Sequence, residues 1–199
     1  MTNIVKLFQK ELEKVKKFPQ KPKLLLHTCC AMCFSSSFLQ IKDYFQITVY
    51  YFNPNIFPLK EYEKRKNEVL RLIHIFEKEY QLTIDFVEEK EDFETYLQCK
   101  IHEKGCLDCL HLRLLRSYQY AQKHHFDYLT TTLTLGRQKD SSVINSIAYS
   151  LKPMFSTVQY LYSDFKKNKG IDLSLECKKK YDIYAQCYCG CEKYEKKSD

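Results

Sequence analysis

Seven of the ten cysteines in this 199-residue chain fall into three short clusters: Cys29-Cys30-x-x-Cys33, Cys106-x-x-Cys109 and Cys189-Gly-Cys191. A lone cysteine is usually a small buried hydrophobe, and Cys99 and Cys177 are read that way. Thiols at paired spacings do other chemistry: they hold soft metals or exchange electrons as dithiol and disulfide. Residues 1–18 alternate apolar and charged positions without the apolar stretch of a secretory signal, so a reducing cytoplasm is the expected compartment. Disulfides do not persist there, which leaves metal binding or redox work for the clusters. A structural zinc site closes with four ligands in two C-x₂₋₄-C pairs. The adjacent pair Cys29-Cys30 departs from that pattern, and the thiols outnumber one tetrahedral site. An iron–sulfur cluster beside a separate redox pair or second metal is therefore favoured over structural zinc.

Other polar residues carry weaker signals. His27 sits inside an apolar run and is expected as a hydrogen-bonded core histidine rather than a ligand. His124-His125 reads as a solvated turn, and Ser35–Ser37 lacks the GxSxG context of a nucleophile elbow. The basic excess, Lys+Arg 32 against Asp+Glu 25 for a net charge of +7, is interleaved with 16 tyrosines. Such a surface can contact phosphates and stack bases, as RNA-binding proteins do.

The composition narrows the framework that must position these groups. With 44% hydrophobic and 15% aromatic residues the chain has the material for a packed core, which excludes a disordered protein. Only four glycines are present, at 105, 136, 170 and 190, so neither a GxGxxG fingerprint nor a phosphate loop exists. No apolar run approaches the roughly 18 residues of a membrane span. One domain over 1–199 is expected.

Hydrophobic periodicity predicts an amphipathic helix near the N-terminus, through Ile4, Phe8, Leu12 and Val15. Buried strands are predicted at 23–28, 47–52, 82–87, 126–133 and 158–162. Helices are predicted at 34–45, 59–80, 107–123 and 141–151. Strands alternating with helices imply a parallel sheet covered on both faces, with ligands beyond the carboxyl ends of the strands. The first cysteine cluster falls at such an end and the second at a helix N-terminus. Residues 23–162 form the expected α/β core. Residues 163–199, polar and lysine-rich, are expected as a cysteine-bearing extension packed over the active site.

Five segments, LLLHTCCAMC, YFNPNIFPLKEYEKR, CLDCLHLRL, FDYLTTTLTLGRQKD and YAQCYCGC, resemble in that order the motifs of the epoxyqueuosine reductase QueH family, from about residue 24 to residue 191. The resemblance implies a Rossmann-like, HUP-type α/β fold and a 4Fe-4S cluster. It also implies the last step of queuosine synthesis in tRNA, the two-electron deoxygenation of epoxyqueuosine. Carried over by motif, Cys29, Cys30, Cys106 and Cys109 are the cluster ligands, with Cys33 in reserve. Cys189 and Cys191 match a terminal C-G-C that serves as a redox disulfide or holds a second, mononuclear iron.

Asp140 and Tyr188 are candidates for proton supply, and Asn53 and Asn55 for reading a purine-like base edge. Tyr62 and Arg65 are placed near the substrate by their motif. The implied partners are tRNA carrying epoxyqueuosine and an electron donor that no flavin or nicotinamide motif identifies; no membrane is involved. Met32, Ala185 and Gly136-Arg137 depart from the family pattern, and Cys187 is an extra thiol. A zinc-stabilised RNA-binding module without catalysis is the rival reading.

Overall fold

A computed structural model describes residues 3–89 and 106–191. Helix α1 (Ile4–Val15) precedes strand β1 (Lys23–His27), α2 (Ala31–Ile41), β2 (Gln46–Tyr51), α3 (Leu59–Tyr80) and β3 (Asp85–Glu88). Then follow α4 (Cys106–Lys123), β4 (Tyr128–Thr131), α5 (Ser141–Leu151), β5 (Gln159–Tyr160) and α6 (Gly170–Tyr181). Among the described residues the strands form one sheet in the order β3-β2-β1-β4-β5, and every neighbouring pair is parallel.

The apolar run KLLLH becomes the central strand because both of its faces are covered. Leu24 and Leu26 point into a core shared with α1, α2, α3 and α6. Leu25 points the other way, into a core with α4 and α5. Helices on both faces of a parallel sheet make this a Rossmann-like α/β fold, as the alternation of elements predicts.

Boundaries differ where capping overrides periodicity. Helix α2 begins at Ala31, three residues before the predicted start, with Cys30 as its extended N-cap; Cys33 therefore rides on its first turn. The predicted strand at 82–87 shifts to Asp85–Glu88, because Gln81 closes α3 in the left-handed conformation and the chain needs several residues to turn back. The segment predicted as strand to 133 leaves the sheet at Thr131. There the threonine hydroxyl accepts the Leu133 N–H and starts a 3₁₀ turn over Thr132–Leu135.

Helix α6 lies in the stretch that the sequence pattern marks only as an extension. Its apolar stripe is only Leu173, Cys177 and Tyr181, four residues apart, among lysines and acids, and these three pack into the core beside α2. The approach of α6 to α2 is close: Ser36 Oγ donates to the Gly170 carbonyl at 2.7 Å, and Gln40 Nε2 to that of Phe165 at 3.2 Å. A Cβ on Gly170 would lie 1.7 Å from the Phe165 carbonyl oxygen. Gly170→Ala is expected to cost about 2–3 kcal/mol through this backbone overlap. That corresponds to a fall of roughly 5–10 °C in thermal midpoint for a chain of this size. An unchanged midpoint in thermal denaturation would show that the helix start moves freely.

Candidate metal centre

The sheet order changes direction between β1 and β4, and the crevice beyond their carboxyl ends is where ligands bind in such folds. The first cysteine cluster occupies this edge. The Sγ atoms of Cys29, Cys30 and Cys33 lie within 4.8 Å of one another, and those of Cys29 and Cys30 are 3.9 Å apart. Hydrogen bonds received from Cys30 and Cys33, together with the fields of Arg113 and Lys139, hold the Cys29 thiol well below its ordinary pKa. Its hydrogen bond to Cys29 and burial push Cys30 up to about 12, and the same pair of neighbours pushes Cys33 up. Within the triad Cys29 is the thiol that ionises most readily.

The strand ends holding this triad are cross-tied. His27 is fully buried, and burial with the nearby Arg113 charge lowers its pKa to about 3, so the ring is neutral. Its Nε2–H donates to the Phe52 carbonyl at 3.1 Å and its Nδ1 accepts from Thr131 Oγ1 at 2.7 Å. Both nitrogens are engaged, and His27 is the hydrogen-bonded core residue its sequence context indicates. Asn53 Nδ2 donates to the Thr28 carbonyl at 2.9 Å, fixing the residue before Cys29.

Two cations not singled out in the sequence converge on the same place. Arg113 of α4 is only 2% exposed; its Nη2 donates to Asn53 Oδ1 at 2.5 Å and its Nε is buried without a partner. Among the described residues no carboxylate pairs with it, and its charge acts on Cys29 and Cys109. Lys139 follows β4; its Nζ lies 3.5 Å from Cys189 Sγ. Burial opposes its charge, but Cys189, Cys29 and Cys33 hold its pKa up. Cys109 is pushed up by burial and feels Arg113, Cys189 and Lys139. Thiols from all three clusters thus share the field of Lys139. Cys106, at the start of α4, is exposed. The signal for Arg113 was present: it stands four residues after Cys109 and seven after Cys106, the spacing of one helix face.

The C-terminal stretch is clamped to the NPN loop and to α3. Arg65, 2% exposed, donates from Nε to Glu61 at 2.7 Å, from Nη1 to the Cys189 carbonyl at 3.0 Å and from Nη2 to the Tyr188 carbonyl at 3.2 Å. Tyr188 Oη donates to the Phe57 carbonyl at 2.6 Å, and the Phe57 N–H donates to the Gly190 carbonyl at 2.7 Å. Gly190 has φ +106°, and a Cβ there would meet Ile56 at 2.9 Å and Arg65 at 3.0 Å, so only glycine fits between the two cysteines.

Residues expected near the substrate from their motifs make hydrogen bonds within the chain. Arg65 orients the C-G-C backbone. Tyr62 donates to Glu88 at 3.0 Å, and Asn53 braces β1 against Arg113. Asn55, also buried, keeps an Oδ1 without a partner among the described residues. Asp140 is the exposed N-cap of α5, its carboxylate held below the usual range by the Ser142 hydroxyl and N–H. Among the described residues, three or more metal-ligating side chains come together only at Cys29, Cys30 and Cys33, and Cys106 and Cys109, like Cys189 and Cys191, stand outside that group.

The profile of the family described as epoxyqueuosine reductase QueH matches residues 24–197. The chain is 31% identical over 199 residues to the epoxyqueuosine reductase QueH of Staphylococcus epidermidis, covering 95% of this chain and 83% of that protein. It is 33% identical over 198 residues to that of Streptococcus pyogenes serotype M1, covering 96% and 74%. To that of Thermotoga maritima it is 28% identical over 172 residues, covering 84% and 88%. Among solved structures, the U34-tRNA thiolase NcsA from Methanococcus maripaludis, with its 4Fe-4S cluster, shares the fold at a TM-score of 0.52 and 11% identity, over 92% of this chain and 66% of that one. A profile match over residues 24–197, with relatives 31% and 33% identical over nearly the whole chain, makes this chain a member of the epoxyqueuosine reductase QueH family.

Proposed function

We propose that the protein deoxygenates epoxyqueuosine in tRNA to queuosine in the cytoplasm, using a 4Fe-4S cluster held by Cys29, Cys30, Cys106 and Cys109. The observation that carries this reading is the thiol triad at the switch-point crevice of the sheet, with the buried Arg113 and the half-buried Lys139 beside it. An all-sulfur donor set suits iron–sulfur ligation, and cations suit the negative charge that thiolates bring. Bound there, the cluster supplies one-electron transfer at low potential. The solved thiolase carries a 4Fe-4S cluster on the same fold, which is consistent with this reading.

The net change breaks both epoxide C–O bonds, forms one C=C bond and releases the oxygen as water, consuming two electrons and two protons. Cys189 and Cys191 are proposed to carry those equivalents as a dithiol that closes to a disulfide and is reopened by a reductant from outside the chain. Lys139 Nζ, 3.5 Å from Cys189 Sγ, is placed to hold a proton or steady a thiolate there. Arg65 and Tyr188 position the pair through the backbone. Asp140 is assigned to its helix cap. The net charge of +7 draws the tRNA in through its phosphates.

The test is anaerobic incubation of protein loaded with iron and sulfide, a strong reductant and tRNA bearing epoxyqueuosine, followed by nucleoside mass spectrometry and metal analysis. Loss of one oxygen mass and four irons per chain are expected; a fifth iron would move Cys189 and Cys191 to a second metal site. Unchanged epoxyqueuosine beside an intact cluster and bound tRNA overturns the reaction. Colourless protein with stoichiometric zinc would instead establish a metal-stabilised RNA-binding module.

A further inference from the structure

A cavity of about 290 Å³ opens beside the triad, between the first turn of α2, the loop after β4, helix α6 and the C-terminal stretch. Cys33 and Leu135 line it from either side of the switch point, one following β1 and the other β4. None of Asn53, Asn55, Tyr62 and Arg65 lines it. Its volume stands near the lower end of the roughly 300–1,000 Å³ typical of small-molecule sites, room for a single nucleoside and not for a stack of them.

The lining has a matching chemistry. Met32, Leu135 and Ile171 present apolar surface, which suits the faces of rings. Gln186 also lines the cavity, and its Oε1 is buried with no hydrogen-bond partner among the described residues. A buried carbonyl oxygen left unpaired carries a free-energy penalty that a ligand N–H would remove. Arg137 and Lys178 line the same cavity from exposed positions, so they stand at its mouth. Among the described residues no ion pair is formed by either, and both are available to anions. Apolar walls, one acceptor within and two cations outside describe a base that enters and a phosphate backbone that stays out.

We infer that this cavity is the binding site for the modified nucleoside itself, extruded from its RNA strand, with Gln186 Oε1 accepting from the pairing edge of a guanine-like base and Arg137 and Lys178 on the flanking phosphates. The assignment rests on the reading of the protein as an epoxyqueuosine reductase. Enzymes that act on one base in a strand take it out of the stack into such a pocket. Cys33 is the member of the triad that lines the cavity, so the nucleoside and the candidate metal centre adjoin through that residue.

The experiment compares equilibrium binding of two tRNAs, identical except that one carries epoxyqueuosine where the other keeps guanine, to wild-type protein and three variants loaded with iron and sulfide. Wild-type protein is expected to prefer the modified tRNA by about ten-fold or more, the scale of one or two good hydrogen bonds with ring burial. Ala185→Trp, at an exposed lining position, fills the cavity; it should bring that ratio to about one while iron–sulfur absorption and thermal midpoint stay at wild-type values. Gln186→Leu should weaken both tRNAs by roughly five- to ten-fold and leave the ratio unchanged, because the two bases share that pairing edge. Arg137→Ala should weaken both tRNAs equally and reduce the slope of log affinity against log salt by about one.

No preference in the wild type, wild-type preference in Ala185→Trp, or wild-type affinity for both tRNAs in Gln186→Leu overturns the site. Turnover separates the two claims. Wild-type protein that discriminates between the tRNAs but forms no queuosine overturns the reaction and leaves the cavity assignment standing. Equal queuosine formation by wild type and Ala185→Trp overturns the cavity and leaves the reaction intact.

Discussion

Serine in place of Cys29 or Cys106 is expected to abolish the visible iron–sulfur absorption of the reconstituted protein and to lower epoxyqueuosine reduction at least about a thousand-fold, near 4 kcal/mol of lost barrier reduction. A hydroxyl is a harder donor than a thiolate and is not deprotonated at neutral pH, so it does not replace sulfur on iron. The paired result is the informative one. Alanine at both Cys189 and Cys191 should leave the absorption at wild-type strength and remove the same activity, because these thiols are proposed to carry the reducing equivalents and not to hold the cluster. Ultraviolet–visible spectra, iron and sulfide analysis and single-turnover assays on one set of proteins check both arms. A full cluster in Cys106→Ser together with its loss in Cys33→Ser would transfer the ligand role to the triad at the start of α2. Full turnover in the double alanine variant would dismiss the C-G-C dithiol.

The second large effect is expected at Arg113. A guanidinium only 2% exposed, bonded to an amide oxygen and facing thiols, places a positive charge beside the candidate metal centre where solvent screens it weakly. Adding an electron to a centre beside that charge is favoured by it. Arg113→Met, similar in length and uncharged, should therefore lower the one-electron midpoint potential of the reconstituted protein. A ten- to hundred-fold change in the reduction equilibrium corresponds to about 60–120 mV. Arg113→Lys keeps the charge and loses the fork to Asn53, and should shift the potential by less than half as much. A redox titration followed in the visible band reads this directly, and a purely structural arginine would not move it. Equal potentials in wild type and Arg113→Met would assign the residue to bracing Asn53 alone.

The strand and helix alternation, the parallel sheet and the placement of Cys29 and Cys30 at a strand end were legible because periodicity is local: KLLLH and ITVYYF declare burial within six residues. Helix α6 was not legible, since its stripe of Leu173, Cys177 and Tyr181 is thin and becomes core only when Ser36 and Gln40 of α2 hold the chain ahead of it. The start of α2 was missed for a similar reason, as Cys30 caps it without a side-chain hydrogen bond and so leaves none of the usual signature.

What the amino-acid order determines by itself is the fold class, the three thiol clusters and the family they define. Which polar groups remain available for chemistry is decided only in three dimensions. Asn53 meets Arg113 across 60 residues, Arg65 meets the Cys189 carbonyl across 124, and Tyr188 meets Phe57 across 131. A residue's type shows what it can donate or accept, whereas its role depends on whether folding has already supplied a partner. Folding gives Asn53, Tyr62 and Arg65 hydrogen-bond partners within the chain, and among the described residues it leaves the Gln186 Oε1 unpaired and the Arg113 charge without a carboxylate.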